Sequence, residues 1–236
     1  MNWQGKVVIV TGAARGIGKV IAQHFSDLGA RVAACDINAP DEGLNQDLSK
    51  PMAGKNLIYA IMRRYGRIDV LVNNARAALR QKLGDEDEET WATELAVGVT
   101  SPYFLGKYAI AEMQPGSSIV NIGSVTSFTV SGESAGYQVA KGACQQLTRV
   151  LAQLGASRGV RCNCILPGAI VKGDHSLKSE LPSVHFAAPC GYPVDVAEAV
   201  EFLTSARFVN GASIVVDGGL TIGDNWQTWQ RARGLK

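Results

Sequence analysis

A tyrosine and a lysine stand four positions apart in SAGYQVAKGA, residues 134–143, among side chains too small to shield them. On a helix, Tyr137 and Lys141 would share one face. A free phenol has a pKa of about 10 and is a poor base at neutral pH, but a neighbouring ammonium favours the phenolate. The pair therefore indicates proton exchange with a substrate hydroxyl. The alternative is an exposed tyrosine–lysine pair without a chemical role.

A glycine-rich turn near the N-terminus is the second chemical feature. TGAARGIG, residues 11–18, follows the apolar run KVVIVTG, which predicts a buried strand, and opens GIGKVIAQHFSDLGA, which predicts an amphipathic helix. Gly12, Gly16 and Gly18 allow a tight turn and let the backbone approach a pyrophosphate at the helix N-terminus. A packing turn between strand and helix is the alternative.

An acidic residue after the second predicted strand, RVAACD, indicates which dinucleotide would bind. Asp36 could accept hydrogen bonds from both hydroxyls of an adenosine ribose. Its charge would repel a 2′-phosphate, which favours NAD over NADP. Arg15, in the glycine turn, could instead pair with that phosphate, so NADP stays open as the less favoured cofactor.

The elements that must position these residues alternate along the chain. Further strands are predicted at IDVLVNNA, SSIVNIGS, VRCNCILPG and ASIVVDGG. Helices are predicted at MAGKNLIYAIMRRYG, EETWATELAVGVTSPYFLGKYAIAEM, SAGYQVAKGACQQLTRVLAQLGAS and VDVAEAVEFLTS. Such alternation with almost wholly apolar strands predicts an α/β fold, in which a doubly wound parallel sheet carries helices on both faces.

The composition of the chain limits the kinds of molecule that it is expected to bind. The chain has 236 residues and a formal net charge of +2, which is too balanced to indicate a nucleic-acid or anionic-membrane surface. No apolar run is long enough to span a bilayer, and the N-terminus lacks the pattern of a signal peptide. Five cysteines form no disulfide or metal-site spacing, so we expect buried free thiols, no metal and a cytoplasmic location.

Taken together, the motifs resemble the short-chain dehydrogenase/reductase family over roughly residues 4–222. The motifs that carry the resemblance are TGAARGIG, NNA at 73–75, Ser124 thirteen residues before Tyr137, Lys141, Pro167-Gly168 and VVDGG at 215–219. The resemblance implies one Rossmann-type domain over residues 1–222, with residues 223–236 as a C-terminal tail. It also implies a homotetramer or homodimer.

The family implies an NAD(H)-dependent oxidoreductase that moves a hydride between nicotinamide and a secondary alcohol or ketone. By this resemblance Tyr137 is the acid/base, Lys141 activates it and holds the nicotinamide ribose, and Ser124 orients the substrate oxygen. The same resemblance assigns the cofactor to Gly12, Arg15, Gly16, Ile17, Gly18, Asp36, Asp47, Leu48, Asn74, Ala75, Tyr137, Lys141, Pro167, Gly168 and Ile170. Of these, Asp47 and Leu48 would flank the adenine, Asn74 and Ala75 would line the adenosine ribose, and Ile170 would meet the carboxamide.

Several positions depart from the family pattern. Gly98 replaces an asparagine that helps to hold a water behind the lysine, and we expect Gly98→Asn to preserve or raise turnover. Arg76 and Lys172 replace a glycine and a threonine, and could recognise an anionic group on the substrate. The alternative for Arg76 is pairing with the acidic run at 85–89, which is expected to begin a helix. The segment INAPDEGLN replaces the usual helix after the second strand.

These departures leave two other functions open: an NADPH-dependent carbonyl reductase, and a nicotinamide-binding regulator or scaffold with weakened catalysis. The segment 171–194 is expected to form the substrate lid, because loops between scaffold elements usually carry specificity. Trp226 and Trp229, in the tail, suggest docking onto this chain or a neighbouring one.

Overall fold

Strands and helices alternate as the sequence predicts. The computed structural model describes residues 2–39, 43–77, 79, 81–171, 173 and 190–222, and within them seven strands form one sheet. The strands are β1 (Val7–Thr11), β2 (Arg31–Asp36), β3 (Leu44–Asn45), β4 (Val70–Asn73), β5 (Ser118–Ile122), β6 (Arg161–Pro167) and β7 (Ser213–Val216). The helices are α1 (Gly16–Asp27), α2 (Ala53–Tyr65), α3 (Glu88–Leu95), α4 (Ser101–Glu112), α5 (Ala135–Ala156) and α6 (Pro193–Ser205).

All neighbouring strands pair in parallel, in the order β3-β2-β1-β4-β5-β6-β7. Parallel neighbours need long crossover connections, which the helices supply. The order reverses between β1 and β4, and in sheets of this kind ligands bind beyond the carboxyl ends of the strands at the point of reversal. The fold is therefore the predicted Rossmann-type α/β architecture. Its topology indicates a ligand site at the carboxyl ends of β1 and β4.

The sheet separates two apolar layers. Val7 and Ile9 of β1 join a cluster with side chains of α2, α4 and α5, whereas Val8 and Val10 join a cluster with side chains of α1 and α6. Successive side chains of a strand point to opposite faces, so strands that are covered on both faces must be apolar throughout. The five residues of β1 are accordingly all buried.

The predicted long helix over 88–113 is interrupted. It divides into α3, a π-helical turn at Ala96–Thr100 and α4, and the N–H of Ser101 donates to the carbonyl of Ala96, five residues earlier. Pro102 has no N–H for the carbonyl of residue 98, so an unbroken α-helical ladder cannot pass through it. Apolar periodicity does not reveal a single added residue, and the prediction of one continuous helix was wrong here.

The structure contains one short strand that the sequence did not predict, and some predicted features lie outside the described residues. The short strand β3 beside β2 was not predicted, and it occupies the end of the segment that was expected to lack the usual helix. Lys172, residues 174–189 of the expected lid, and the tail with Trp226 and Trp229 lie outside the described residues. No helix in the described part of the chain is long and apolar enough to cross a bilayer, and all five cysteines are buried with free thiols.

Candidate active site

The glycine turn after β1 is folded tightly against the end of β4. Gly12 has a φ of +69°, a left-handed conformation that disfavours other residues, and a Cβ there would stand 2.8 Å from Ala75 Cα. At Gly18 a Cβ would collide with the carbonyl oxygen of Gly12. The turn thus leaves no room for side chains between the start of α1 and the backbone after β4, as a site for close backbone approach requires.

Asn74 has a structural task that sequence reasoning did not assign. Its side-chain Nδ2 donates to the carbonyl oxygens of Thr11 and Gly12, at 2.9 and 3.2 Å. The Thr11 hydroxyl in turn accepts from the backbone N–H groups of Asn74 and Ala75, at 3.0 and 3.1 Å. The side-chain nitrogen of Asn74 therefore stabilises the glycine turn. Only the remaining atoms of Asn74 are available to contact a cofactor.

Asp36 stands at the carboxyl end of β2, beside the same turn. Its Oδ2 accepts from Ala14 N at 3.0 Å, and its Oδ1 accepts from Asn38 N at 3.0 Å. Each carboxylate oxygen has a second lone-pair direction, so the side chain is fixed and can still accept ribose hydroxyls. Arg15 is the N-cap residue of α1 and is exposed, with no side-chain capping bond.

The other positions that the sequence analysis assigned to the cofactor follow the carboxyl ends of β3 and β6. The Asp47 carboxylate accepts from the hydroxyl and the N–H of Ser49, and these two hydrogen bonds lower the pKa of Asp47. Leu48 packs on the core next to it. Beyond β6, Gly168 N donates to Val216 O. Ile170 packs on the core and forms a bridge with Gly191.

The structure places Lys141 at the carboxyl end of β5, with the ring of Tyr137 beside it and Ser124 in the loop that follows this strand. The Lys141 side chain is only 9% exposed, and its Nζ donates to Ile122 O at 2.6 Å. The same Nζ lies 5.7 Å from the centre of the Tyr137 ring. Ser124 is buried two residues after Ile122, and its Oγ accepts from Thr126 N at 3.2 Å, which leaves its O–H free to donate.

A pocket of about 360 Å³ opens against Tyr137. Its wall includes Arg76, Gln81 and Lys82 from the segment after β4, and Glu94 from α3. The Arg76 guanidinium carbon lies 5.5 Å from the centre of the Tyr137 ring. Arg76 therefore stacks on Tyr137 and forms no salt bridge with the acidic run among the described residues.

Comparison with known proteins identifies the family to which the chain belongs. A family profile described as enoyl-(acyl carrier protein) reductase matches residues 12–221. The D-threitol dehydrogenase of Mycolicibacterium smegmatis is 32% identical over 248 residues, which cover 92% of this chain and 94% of that protein. The chain belongs to the short-chain dehydrogenase/reductase family.

Two solved structures of similar proteins extend the likeness to three dimensions. The aldohexose dehydrogenase of Thermoplasma acidophilum, in ligand-free form, is 33% identical with a TM-score of 0.83, and the match covers 94% of this chain and 96% of that one. A blue fluorescent protein from a metagenomic library, in complex with NADPH, is 30% identical with a TM-score of 0.83, covering 93% and 99%. The chain is therefore an oxidoreductase of the short-chain dehydrogenase/reductase family.

Supporting residues around this short-chain dehydrogenase/reductase site escaped the sequence analysis. The Ser127 hydroxyl lies 2.6 Å from Ser124 O and 2.8 Å from Lys141 O, so it joins the loop after β5 to α5. The Glu86 carboxylate accepts from Ala135 N at 2.7 Å, at the first residue of α5. The contacts of Ser127 with Lys141 and of Glu86 with Ala135 are not local in sequence. From the sequence, Glu86 could be interpreted only as part of the acidic run, which does begin α3 as expected, with Asp87 as the N-cap residue.

The family's asparagine position has become part of a helix contact. Gly98 lies in the π-helical turn, and a Cβ there would stand 2.7 Å from the Cβ of Ala140 on α5. Real Cβ atoms essentially never approach so closely, so α5 and this turn can pack as they do only because residue 98 is glycine. The expectation that Gly98→Asn preserves or raises turnover stays a prediction, and the close contact adds that α5 and the π-helical turn would first have to separate.

Proposed function

We propose that this short-chain dehydrogenase/reductase interconverts a secondary alcohol and the matching ketone with a nicotinamide cofactor. The observation that carries the proposal is the buried Lys141 ammonium, held by Ile122 O beside the ring of Tyr137 at the carboxyl end of β5. A buried ammonium next to a phenol stabilises the phenolate, which can then accept a proton. The threitol and aldohexose dehydrogenases described above support an alcohol as substrate.

The chain's own residues divide the proton chemistry among them. In the oxidative direction Tyr137 accepts the proton of the substrate hydroxyl, and in the reductive direction it returns that proton to the carbonyl oxygen. Ser124 donates its O–H to the same oxygen and fixes its position. Lys141 lies beside the ring of Tyr137, and the Ser127 hydroxyl lies within hydrogen-bond distance of the carbonyl oxygens of Ser124 and Lys141.

The residues present fit a dinucleotide. The crowded turn at Gly12 and Gly18 allows backbone N–H groups at the start of α1 to reach a pyrophosphate, and the fixed carboxylate of Asp36 suits a ribose. When bound, the nicotinamide exchanges a hydride with the substrate carbon. We propose that the remaining cofactor residues are Arg15, Gly16, Ile17, Asp47, Leu48, Asn74, Ala75, Pro167, Gly168 and Ile170, together with Tyr137 and Lys141.

We further propose NAD as the preferred cofactor, because a carboxylate at the end of β2 repels a ribose phosphate. The proposal extends to a cytoplasmic location, which the free thiols support. It also extends to a homodimer or homotetramer, which the exposed apolar side chains of α4 and α5 support.

The decisive test removes the phenol oxygen alone. We expect Tyr137→Phe to lower kcat by roughly 10²–10⁴-fold, the size of a general acid–base contribution, with a much smaller change in the Kd for NADH, because the other proposed cofactor residues are kept. Turnover is measured with NAD and a panel of secondary alcohols, and the Kd by fluorescence titration. Tyr59→Phe, the same change at an exposed tyrosine of α2, is the matched control and should leave kcat unchanged.

A different result would identify a different function. If the wild-type chain binds NAD but oxidises no alcohol and reduces no ketone, the regulator or scaffold function is favoured. If Tyr137→Phe keeps full turnover, another group performs the proton transfer and the proposed chemistry is wrong.

A further inference from the structure

The segment after β4 places an exposed cation beside the proposed acid/base, and the proposed proton transfer does not use its charge. Arg76 lines the pocket, and its guanidinium carbon lies 5.5 Å from the centre of the Tyr137 ring. Among the described residues this guanidinium forms no salt bridge and no hydrogen bond. Its N–H groups are therefore available to a ligand that enters the pocket.

The position of the guanidinium is supported from two sides. The Thr11 hydroxyl accepts from the backbone N–H groups of Asn74 and Ala75, at 3.0 and 3.1 Å, which fixes the backbone directly before Arg76. The ring of Tyr137 supports the other end of the side chain, because arginine stacks on aromatic faces. A charge that is already ordered loses less conformational freedom when a ligand binds.

The other charges on the pocket wall do not compensate Arg76. Lys82 stands opposite Glu133 in an isolated antiparallel bridge, so this cation has a carboxylate as its cross-strand neighbour. Glu94 is only 5% exposed: its Oε1 accepts from Ser134 Oγ at 2.6 Å and its Oε2 is buried, so it is not an accessible charge in the pocket. Within the described part of the wall, Arg76 is thus the accessible cation that a single negative charge would match.

The geometry favours a carboxylate on a small molecule. A guanidinium forms two parallel hydrogen bonds with a carboxylate, which carries one negative charge, whereas a phosphate monoester carries about −1.5 to −2 at pH 7. The volume of about 360 Å³ is near the lower end of the roughly 300–1,000 Å³ of ligand pockets. Because Arg76 stacks on Tyr137 itself, the anionic group and the reacting hydroxyl would be only a few bonds apart.

We propose that Arg76 selects a short hydroxy acid by binding its carboxylate while Tyr137 exchanges a proton with its hydroxyl group. The inference rests on the proposed alcohol dehydrogenase function and adds the substrate class. The hydroxy acid gives a hydride to NAD and a proton to Tyr137 and becomes the oxo acid, and its carboxylate is unchanged. Binding at the guanidinium holds the reacting carbon in a fixed place, which favours the transfer.

The test compares substrates that differ in one charge. Lactate and 3-hydroxybutyrate are each compared with their methyl esters, at saturating NAD and with the full chain. We expect the wild type to prefer at least one acid over its ester in kcat/KM. Arg76→Met should lower the acid-to-ester ratio of kcat/KM by roughly 10–100-fold, the effect of a lost hydrogen bond to a charged group. Arg76→Lys keeps the charge without the bidentate geometry and should fall between the two.

The ratio cancels any loss that both substrates share when Arg76 no longer contacts Tyr137. Arg63→Met removes an exposed arginine of α2 and should leave the ratio at its wild-type value. If Arg76→Met lowers acid and ester turnover equally, or if the wild type prefers neither acid, the selection by Arg76 is wrong while the dehydrogenase function stands. A loss of NADH affinity as large as the loss for the acid would assign Arg76 to the cofactor and contradict the inference.

Binding is measured in the wild type saturated with NADH, where no hydride can move because the cofactor and the hydroxy acid are both reduced. The preferred acid should raise the melting temperature above that in sodium chloride of equal ionic strength. Its methyl ester should not, and Arg76→Met should abolish the effect. Binding of the acid that depends on Arg76, without turnover, would refute the proposed chemistry and keep the carboxylate site. Absence of both turnover and binding would overturn the inference.

Discussion

Asp36 carries a negative charge at the end of β2 and Arg15 a positive charge at the start of α1, so the two residues favour different cofactors. Asp36→Asn removes the charge and keeps an oxygen that can accept from Ala14 N. We expect this variant to bind NADP at least about tenfold more tightly, which corresponds to about 1.4 kcal/mol, with a smaller change for NAD. Fluorescence titration with both cofactors measures it.

Arg15→Gln is the matched variant for the other charge. It should weaken NADP in the Asp36→Asn background and leave NAD nearly unchanged, because only NADP carries the additional phosphate. Tighter binding of NADP than of NAD by the wild type would contradict the assignment of Asp36 as the residue that determines the cofactor preference.

Gly98 makes a second prediction at the level of single residues. Gly98→Asn should lower the free energy of unfolding by about 1–3 kcal/mol, the usual cost of overpacking, because its Cβ meets that of Ala140. Ala140→Gly removes the obstructing methyl and leaves Ala140 Cα 4.0 Å from the new Cβ. Urea unfolding of both single variants and the double variant gives the coupling energy.

The double variant should recover most of the overpacking cost, less about 1 kcal/mol for a glycine inside α5. If Gly98→Asn is as stable as the wild type, the π-helical turn and α5 can separate at no cost in free energy, and the close contact does not limit stability. Turnover of the double variant then shows whether an asparagine at this position improves proton transfer.

At the scale of elements, α5 carries both Tyr137 and Lys141, and its first turn is held from outside the helix. The Glu86 carboxylate accepts from its own backbone N–H and from Ala135 N, and these hydrogen bonds, with a smaller contribution from Gly84 N, lower the pKa of Glu86. Glu86→Ala should therefore lower kcat by loosening the first turn, by less than the roughly 10²-fold that a displacement of 1 Å can cost.

Glu88→Ala, an exposed change in the first turn of α3, is the control for Glu86→Ala. Steady-state kinetics should show a loss in kcat with Glu86→Ala alone. Equal kinetics for both variants would mean that the hydrogen bond to Ala135 does not position Tyr137.

Sequence patterns predicted the strands and helices better than they predicted the contacts between them. The apolar strands and the alternation of strands with helices predicted a parallel sheet with helices on both faces, because these signals are local or periodic. The brace from Asn74, the link through Ser127 and the buried Glu94 could not be predicted, since each depends on residues that are far apart in the chain. The π-helical turn was missed because one added residue scarcely alters an apolar periodicity.

At the scale of the whole molecule, Asp69 joins the starts of β1 and β4. Its carboxylate accepts from Val7 N at 2.9 Å, from Lys6 Nζ at 2.9 Å and from both Nε and Nη2 of Arg67. Burial raises the pKa of Asp69, but the hydrogen bonds from Arg67, Val7 and Lys6 outweigh burial and leave the pKa below its ordinary value. Ionised Asp69 therefore stabilises the folded state.

The stabilisation by Asp69 should depend on pH in a defined direction. Because the folded pKa is depressed, the contribution is complete above the unfolded value of about 3.9 and is lost as the pH falls through the folded value. We expect Asp69→Asn to lower the free energy of unfolding by about 1–3 kcal/mol at pH 7 and by less at pH 3. Urea unfolding at both values tests this, and a difference that grows toward acid would contradict it.

Exposed apolar side chains on α5 predict assembly. Val139, Val150 and Leu154 are exposed on α5 and lie on one stripe of the helix, with Phe104 of α4 also exposed. Val150→Glu should shift the chain toward a smaller species in light scattering, because it places a charge on an apolar contact. Tyr59→Glu, an exposed site on α2, should leave the size unchanged; a monomeric wild type would contradict the prediction.

The π-helical turn at Ala96–Thr100 holds one residue more than an α-helical turn would. Because the wider turn takes up this residue, α3 and α4 keep nearly the rotational relation of one continuous helix. Deleting one residue within 96–100 should therefore remove the local widening and leave Glu94 beside Ser134 and Gly136. The added residue thus changes the width of the helix at Gly98, where it packs against Ala140, and not the direction in which α3 faces.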